Sequence, residues 1–183
     1  YTVRLISSTN IGGCKDTVEK MMEVYHMPVA SYLIDRNRQC FLNNNFNFTS
    51  TSNIGGGTID NYDWTMGDNT SLTDQNPSKS YNTVDSFWVT LKVTSNYGCT
   101  DTQRHRVYVY PMPVAKFTVG PLIDRCLLGN IFKISNKSTI SNNGVISNYS
   151  YYYDYPNPNS DSSNLATPLD YSYAQSGQYT IMQ

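Results

Sequence analysis

The residue types in this chain that could carry chemistry are four cysteines, two histidines, a scatter of aspartates and a run of tyrosines. Cys14, Cys40, Cys99 and Cys126 make no Cys-x-x-Cys pair and have no nearby histidine. That spacing does not supply a zinc centre and leaves disulfide or free-thiol chemistry. His26 and His105 stand on or beside terminal strands with no serine or cysteine nucleophile pattern. No catalytic residue is expected, and both read as exposed strand histidines. Asp60, Asp63 and Asp68 could offer oxygens to Ca²⁺, the one ion these residues suggest. They alternate along a strand into a turn and do not supply the six to eight oxygens such an ion takes, so turn chemistry is the reading and no cofactor is expected. Tyr149-Ser150-Tyr151-Tyr152-Tyr153-Asp154-Tyr155 is the densest aromatic patch. In a strand alternate rings must point outward. Tyr151 and Tyr153 are therefore candidates to face a ligand, stacking on a sugar or meeting a partner protein, with a neighbouring domain as the other possible cover.

The elements that position these residues occur more than once. Val24, Tyr25, Met27, Pro28, Val29 and Ala30 return as Val109, Tyr110, Met112, Pro113, Val114 and Ala115, each 85 residues on. Cys14, Asp16 and Thr17 return as Cys99, Asp101 and Thr102. Past small insertions, Leu33-Ile34-Asp35-Arg36 returns as Leu122-Ile123-Asp124-Arg125, Cys40 as Cys126, and Ser80-Tyr81 as Ser172-Tyr173. A period this long exceeds the roughly 20 to 50 residues of a solenoid repeat and suits a small domain with its own core. Tyr1 matches Phe87, so the first unit is entered in its middle. Proline favours a strand edge or junction, which puts the joins at Met27-Pro28 and Met112-Pro113. We therefore expect the last strands of one domain over 1–27, a complete domain over 28–112, and a domain lacking its last strands over 113–183. No Gly/Ser-rich run lies at either join, so the domains should be closely coupled.

Charged residues make up 15% of the chain, and the net charge is -1. That balance gives no footprint for nucleic acid or an anionic membrane. No stretch has the roughly 18 apolar residues a membrane helix needs, so no membrane insertion is expected. Phe87, Val89, Leu91 and Val93 alternate with Trp88, Thr90, Lys92 and Thr94, the period of a half-buried strand. Arg104 to Tyr110 should pair with it as a hairpin across Ser95-Asn96-Tyr97-Gly98. Phe46 and Phe48 share one face of another strand, Ile59 to Met66 forms a further one, and Val29 to Ile34 opens the domain. Short strands separated by turn residues, with no helical period, predict a β-sandwich. Within the complete domain Cys40 and Cys99 can pair only with each other. The bond would close a loop of about 60 residues, worth roughly 4 kcal/mol, in an oxidising compartment. Cys14 and Cys126 would then find partners elsewhere, and four buried free thiols are the alternative.

Tyr62-Asp63-Trp64-Thr65-Met66-Gly67-Asp68-Asn69, Asn76-Pro77-Ser78-Lys79-Ser80-Tyr81 and Phe87-Trp88-Val89-Thr90-Leu91-Lys92-Val93-Thr94 together resemble the PKD domain (polycystic kidney disease repeat). The Cys40 and Asn96-Tyr97-Gly98-Cys99 positions are similar to a disulfide-bearing variety found in tandem on Bacteroidota surface proteins. The third domain departs from the pattern, with Tyr151 at the place of Trp64 and Asp154-Tyr155-Pro156 replacing the Gly-Asp turn. The resemblance implies tandem immunoglobulin-like β-sandwiches and a non-enzymatic, extracellular, outer-membrane-associated role. It also implies a place in a long repeat protein of the kind of the giant gliding-motility adhesins of flavobacteria. Trp64 would then fill the space between the sheets, Gly67 and Asp68 the turn, and Tyr81 would tie its hydroxyl back to the backbone as a corner tyrosine. The partners implied are neighbouring repeats and a surface polysaccharide or another cell-surface protein. A carbohydrate-binding or spacer module of a secreted hydrolase is the alternative.

Overall fold

A computed structural model describes residues 1–120, 126–154, 162–164 and 170–182, and every regular element among them is a strand. Residues 122–125 and 155–156, which carry one copied motif and the altered hairpin, lie outside the described residues. Contacts divide the chain into two compact units, residues 1–39 with 43–109 and residues 40–42 with 110–183.

The first unit opens with an antiparallel hairpin of β1 (Thr2–Ser8) and β2 (Lys15–Met21). The segment predicted over 29–34 divides into β3 (Pro28–Val29) and β4 (Tyr32–Ile34), because the chain changes sheet between them. β3 pairs with β7 (Asn53–Ile54), whereas β4 pairs with β6 (Phe46–Ser50). β6 is the centre of a three-stranded sheet closed by β10 (Ser78–Lys79). The facing sheet has the order β5 (Arg38–Cys40), β12 (Thr100–Tyr110), β11 (Ser86–Ser95), β8 (Ile59–Thr65) and β9 (Ser71–Leu72). β11 and β12 form the expected hairpin, with Phe87 opposite Val107 and Val93 opposite Asp101. Gly98 closes the turn at φ +80° and donates its N–H to the Ser95 carbonyl. Period-two alternation sends Val89, Leu91, Val93 and Val107 inward against Phe46 and Phe48 of the other sheet. This is a sandwich with one apolar core.

The cysteines overturn the predicted bond. All four are free, and Cys14, Cys40 and Cys126 are exposed rather than buried. The strand topology explains the failure. Tyr108 donates its N–H to the Asn37 carbonyl, so the segment leading to Cys40 lies against the C-terminal half of β12. Cys99 stands just before the other end of that strand. Nine residues of strand separate Cys99 from Tyr108, roughly 30 Å, and the three residues from Asn37 to Cys40 recover at most about 10 Å. A disulfide needs Cα atoms within about 7 Å. The melting temperature of this chain should therefore be the same with and without a thiol reductant. A drop of several degrees on reduction would restore the bond.

In the second unit β13 (Pro113–Val114) pairs with β16 (Thr139–Ile140), and β14 (Phe117–Gly120) pairs with β15 (Lys133–Asn136). β17 (Tyr151–Tyr152) pairs with β18 (Ser162–Ser163). The registers copy the first unit: Pro113 faces Ile140 as Pro28 faces Ile54, and Phe117 faces Asn136 as Tyr32 faces Ser50. Its core is Ile134, Tyr151 and Tyr153, with Phe117, Val119, Tyr149, Tyr171 and Ile181 packed around them.

Candidate functional site

The first unit is organised around three aromatic side chains. Trp64, on β8, is fully buried, lies edge-on to Tyr32 at 4.9 Å, and donates its indole N–H to the Asp74 carbonyl at 2.9 Å. The strand then turns at Gly67, where φ is +81° and a Cβ would meet the backbone oxygen of Trp88 at 2.7 Å. Only glycine meets both demands without strain. Asp68 follows, holding Lys79 at 2.8 Å and accepting from the Thr70 hydroxyl and N–H. Burial would raise its carboxyl, but the Lys79 and Thr70 hydrogen bonds outweigh that and hold it below the usual range. Tyr81 stacks on Phe87 at 4.0 Å and donates its hydroxyl to the Met66 carbonyl at 2.7 Å. Burial pushes its phenol well above the ordinary tyrosine value.

Two further residues hold this scaffold, and sequence reasoning does not single out either. Buried Asn44 accepts from the Tyr81 N–H at 2.7 Å and donates to the Tyr81 carbonyl at 2.9 Å, clamping the tyrosine from its own backbone. Asn130 does the same to Tyr173, whose hydroxyl donates to the Tyr153 carbonyl just as Tyr81 does to Met66. Tyr32 is the second. Its hydroxyl accepts from the His105 N–H at 2.8 Å and donates to the Val89 carbonyl at 2.6 Å, inserting between two residues that face each other across β11 and β12. Burial raises its phenol to about 12, against the opposing pull of the His105 N–H.

A cleft of about 840 Å³ opens beside this tyrosine. On β12, Arg104, Arg106 and Tyr108 take the parity opposite to the buried Val107 and Val109, so they lie on the outer face of the five-stranded sheet. Trp88, opposite Arg106, is 42% exposed on the same face. The guanidinium carbons of Arg104 and Arg106 lie 4.5 and 4.4 Å from the Trp88 ring centroid. Arg38 stands 5.1 Å from the Tyr108 ring. Arg36 and Asn37 complete the rim on the loop before β5, and Leu33 and Ile34 flank it. The carboxylate in this lining is Asp35, and its oxygens are occupied by the N–H of Arg36 and the N–H and amide of Asn47. Those bonds outweigh the effect of burial and keep Asp35 ionised to below the usual carboxylate range. None of the four arginines forms a salt bridge among the described residues. The Nε of Arg106 is buried with no hydrogen-bond partner among them.

A buried tryptophan, a Gly-Asp turn, a backbone-tied tyrosine and an alternating strand thus succeed one another on two facing sheets. Residues 25–109 match the PKD domain family. Among solved structures, the chain is similar to the PKD1 domain of Vibrio anguillarum Epp, at 23% identity over 47% of this chain and 96% of that one, TM-score 0.42. It is also similar to the PKD1 domain of the Vibrio cholerae metalloprotease PrtV, at 29% identity over 45% and 96% of the two chains, TM-score 0.41. A structure described as carbohydrate-binding modules of the β-sandwich superfamily aligns at 15% identity over 72% of this chain and 66% of that one, TM-score 0.46. No curated protein matches this chain.

The other predicted site residues are placed as follows. Trp64, Gly67, Asp68 and Tyr81 come together as the scaffold of the sandwich over the residues that match the PKD family. The expectation that Tyr151 and Tyr153 face a ligand is wrong, since they are 0% and 3% exposed. Tyr151 occupies the second unit's counterpart of the Trp64 site, edge-on to Phe117 at 6.2 Å, and Tyr153 stacks on Tyr171 at 4.1 Å. The outward ring of that strand is Tyr152. Asp60 accepts from the Thr58 hydroxyl, and no three carboxylate, histidine or cysteine side chains converge among the described residues. His105 lines the arginine cleft, whereas His26 packs on Gly55 and Gly56, where an added Cβ would come within 3.2 and 2.8 Å of its ring.

Proposed function

We propose that this chain is a non-enzymatic extracellular repeat module, one segment of a semi-rigid rod in a large cell-surface adhesin that serves surface attachment or gliding. The observation that supports this reading best is how the chain is held where it enters the domain, at the first two residues of the stretch that matches the PKD family. Tyr25 stacks on Tyr97 of the β11–β12 turn with ring centroids 3.9 Å apart and planes 7° apart. The adjacent His26 fills the surface above Gly55 and Gly56, which have no side chains to obstruct it. A join made of packed rings resists bending in a way a Gly/Ser linker does not. The same Tyr, Met, Pro, Val and Ala stand at the next join, from Tyr110 to Ala115. Repetition of the join is what gives a rod a constant spacing.

Small-angle scattering on chains carrying one, two and three copies of the repeat tests this. The maximum dimension should grow in proportion to copy number. Growth closer to its square root is the behaviour of a flexible string and would remove the rod. The alternative, a carbohydrate-binding or spacer module of a secreted hydrolase, loses its proposed platform through the burial of Tyr151 and Tyr153.

A further inference from the structure

We propose that the arginine cleft of the PKD domain binds a carboxylate-bearing polysaccharide. Four of the chain's six arginines converge there, as two Arg-x-Arg segments, Arg36-Asn37-Arg38 and Arg104-His105-Arg106. The pairing of β5 with β12 brings these segments together from distant parts of the sequence. Like charges held this close repel one another, and the carboxylate of the lining, Asp35, offsets only one of the four and is turned to the N–H groups of Arg36 and Asn47 rather than to a guanidinium. Arrangements of this kind are stable when an anion completes them.

The chemistry of the cleft selects the anion. All the cations are arginine, whose planar fork meets a carboxylate through two parallel N–H···O bonds. Three of the four guanidiniums already lie over aromatic rings, Arg104 and Arg106 on Trp88 and Arg38 on Tyr108. The rings hold them in place before a ligand arrives, so less side-chain freedom is lost on binding. Arg104 and Arg106 are two residues apart on one strand and both lie against the Trp88 ring, so the cleft presents two planar forks side by side. The Asn37 amide supplies a neutral hydrogen-bonding group, and Leu33 and Ile34 an apolar wall, as a sugar's hydroxyls and C–H face require.

A nucleic acid fits less well. With a net charge of -1, the chain without these four arginines would carry -5. The positive charge is thus a local cleft on an otherwise acidic molecule and not a stripe along which a long phosphate backbone could lie. The Trp88 ring is also committed to guanidiniums and not free for base stacking.

The proposal rests on the reading of the chain as an adhesive surface module, but its test is independent of rod length. Titration calorimetry of the full chain with polygalacturonate in low salt should show binding that weakens steeply as salt is raised. Dextran, which has no carboxylate, should show none. The double variant Arg104→Ala/Arg106→Ala should lose at least tenfold in affinity, and Arg36→Ala/Arg38→Ala, on the other side of the cleft, should do likewise. Circular dichroism melting shows whether each pair still folds. Arg104→Lys/Arg106→Lys keeps the charge without the fork and should fall between the parent and the alanine pair. No binding to polygalacturonate, equal binding of dextran, or unchanged affinity in both folded alanine pairs would each overturn the assignment. Equal or tighter binding of single-stranded DNA would overturn it in favour of a general polyanion surface.

Discussion

Replacing Trp64 by alanine is expected to cost the first sandwich about 3–5 kcal/mol, the range for emptying a core of its largest side chain. Single domains are stable by only about 5–15 kcal/mol, so the variant should sit near the edge of folding at ambient temperature. Two losses combine. The indole is fully buried between the sheets, edge-on to Tyr32 at 4.9 Å and tilted against Phe48 at 5.6 Å, so its removal leaves a void that neither ring can fill without leaving the other. The Asp74 carbonyl, which accepts from the indole N–H, also loses its partner. Trp64→Tyr is the informative companion. The second unit places Tyr151 at this position against Phe117, as Trp64 lies against Tyr32. The tyrosine variant should therefore recover a large part of the loss. Guanidinium denaturation followed by circular dichroism measures both, with a lowered midpoint and an unchanged slope. A loss below about 1 kcal/mol for the alanine variant would mean that the sheets are held together elsewhere.

The features legible in the sequence are those whose cause is local. The strand from Ser86 to Ser95 can be read because each of its side chains states by its polarity which sheet face it occupies. The turn at Gly67-Asp68 can be read because a positive φ limits the residues that fit. The burial of Tyr151 and Tyr153 is not legible because Tyr149 to Tyr153 offers nearly the same residue to both faces, and period two without a polarity difference does not say which parity is inward. The correspondence of Tyr151 with the buried Trp64 carried that information. Asn44 is a polar residue in a polar loop, and only its correspondence with Asn130 marks it as special. The arginine cleft is hidden for a different reason. Net charge averages over the whole surface, whereas the cleft is assembled by pairing β5 with β12 and by orienting alternate residues outward. The twofold Arg-x-Arg pattern was the available signal. The two cysteines of the domain do not pair because belonging to one domain is not proximity. A strand of eleven residues can hold two such positions at its opposite ends.

Asn44→Ala should have the second-largest effect, about 2–4 kcal/mol, although it removes almost no apolar surface. The side chain bonds the N–H and the carbonyl of a single residue, Tyr81, in a buried place. Removing it leaves two backbone groups without the partner that satisfies them, each worth about 1–3 kcal/mol when stranded away from water. The clamp also fixes where the Tyr81 ring begins. That ring stacks on Phe87 and closes the hairpin end of β8 through the Met66 carbonyl. Tyr81→Phe, which removes only the hydroxyl, should cost about 1 kcal/mol and therefore less than the asparagine. Asn44→Asp separates the two bonds, since its oxygen can still accept from the Tyr81 N–H but nothing donates to the carbonyl, and a charge is buried besides. It should be no better than alanine. Hydrogen exchange reads the clamp directly, because the Tyr81 amide should lose its protection in Asn44→Ala while amides in the middle of β11 keep theirs down to the lowered global stability. The same experiment at Asn130 should release the Tyr173 amide, because the second unit makes the same pair of bonds there. If Asn44→Ala left both stability and Tyr81 protection unchanged, the corner tyrosine would be held by its ring contacts alone, and the recurrence of the asparagine in both units would need another cause.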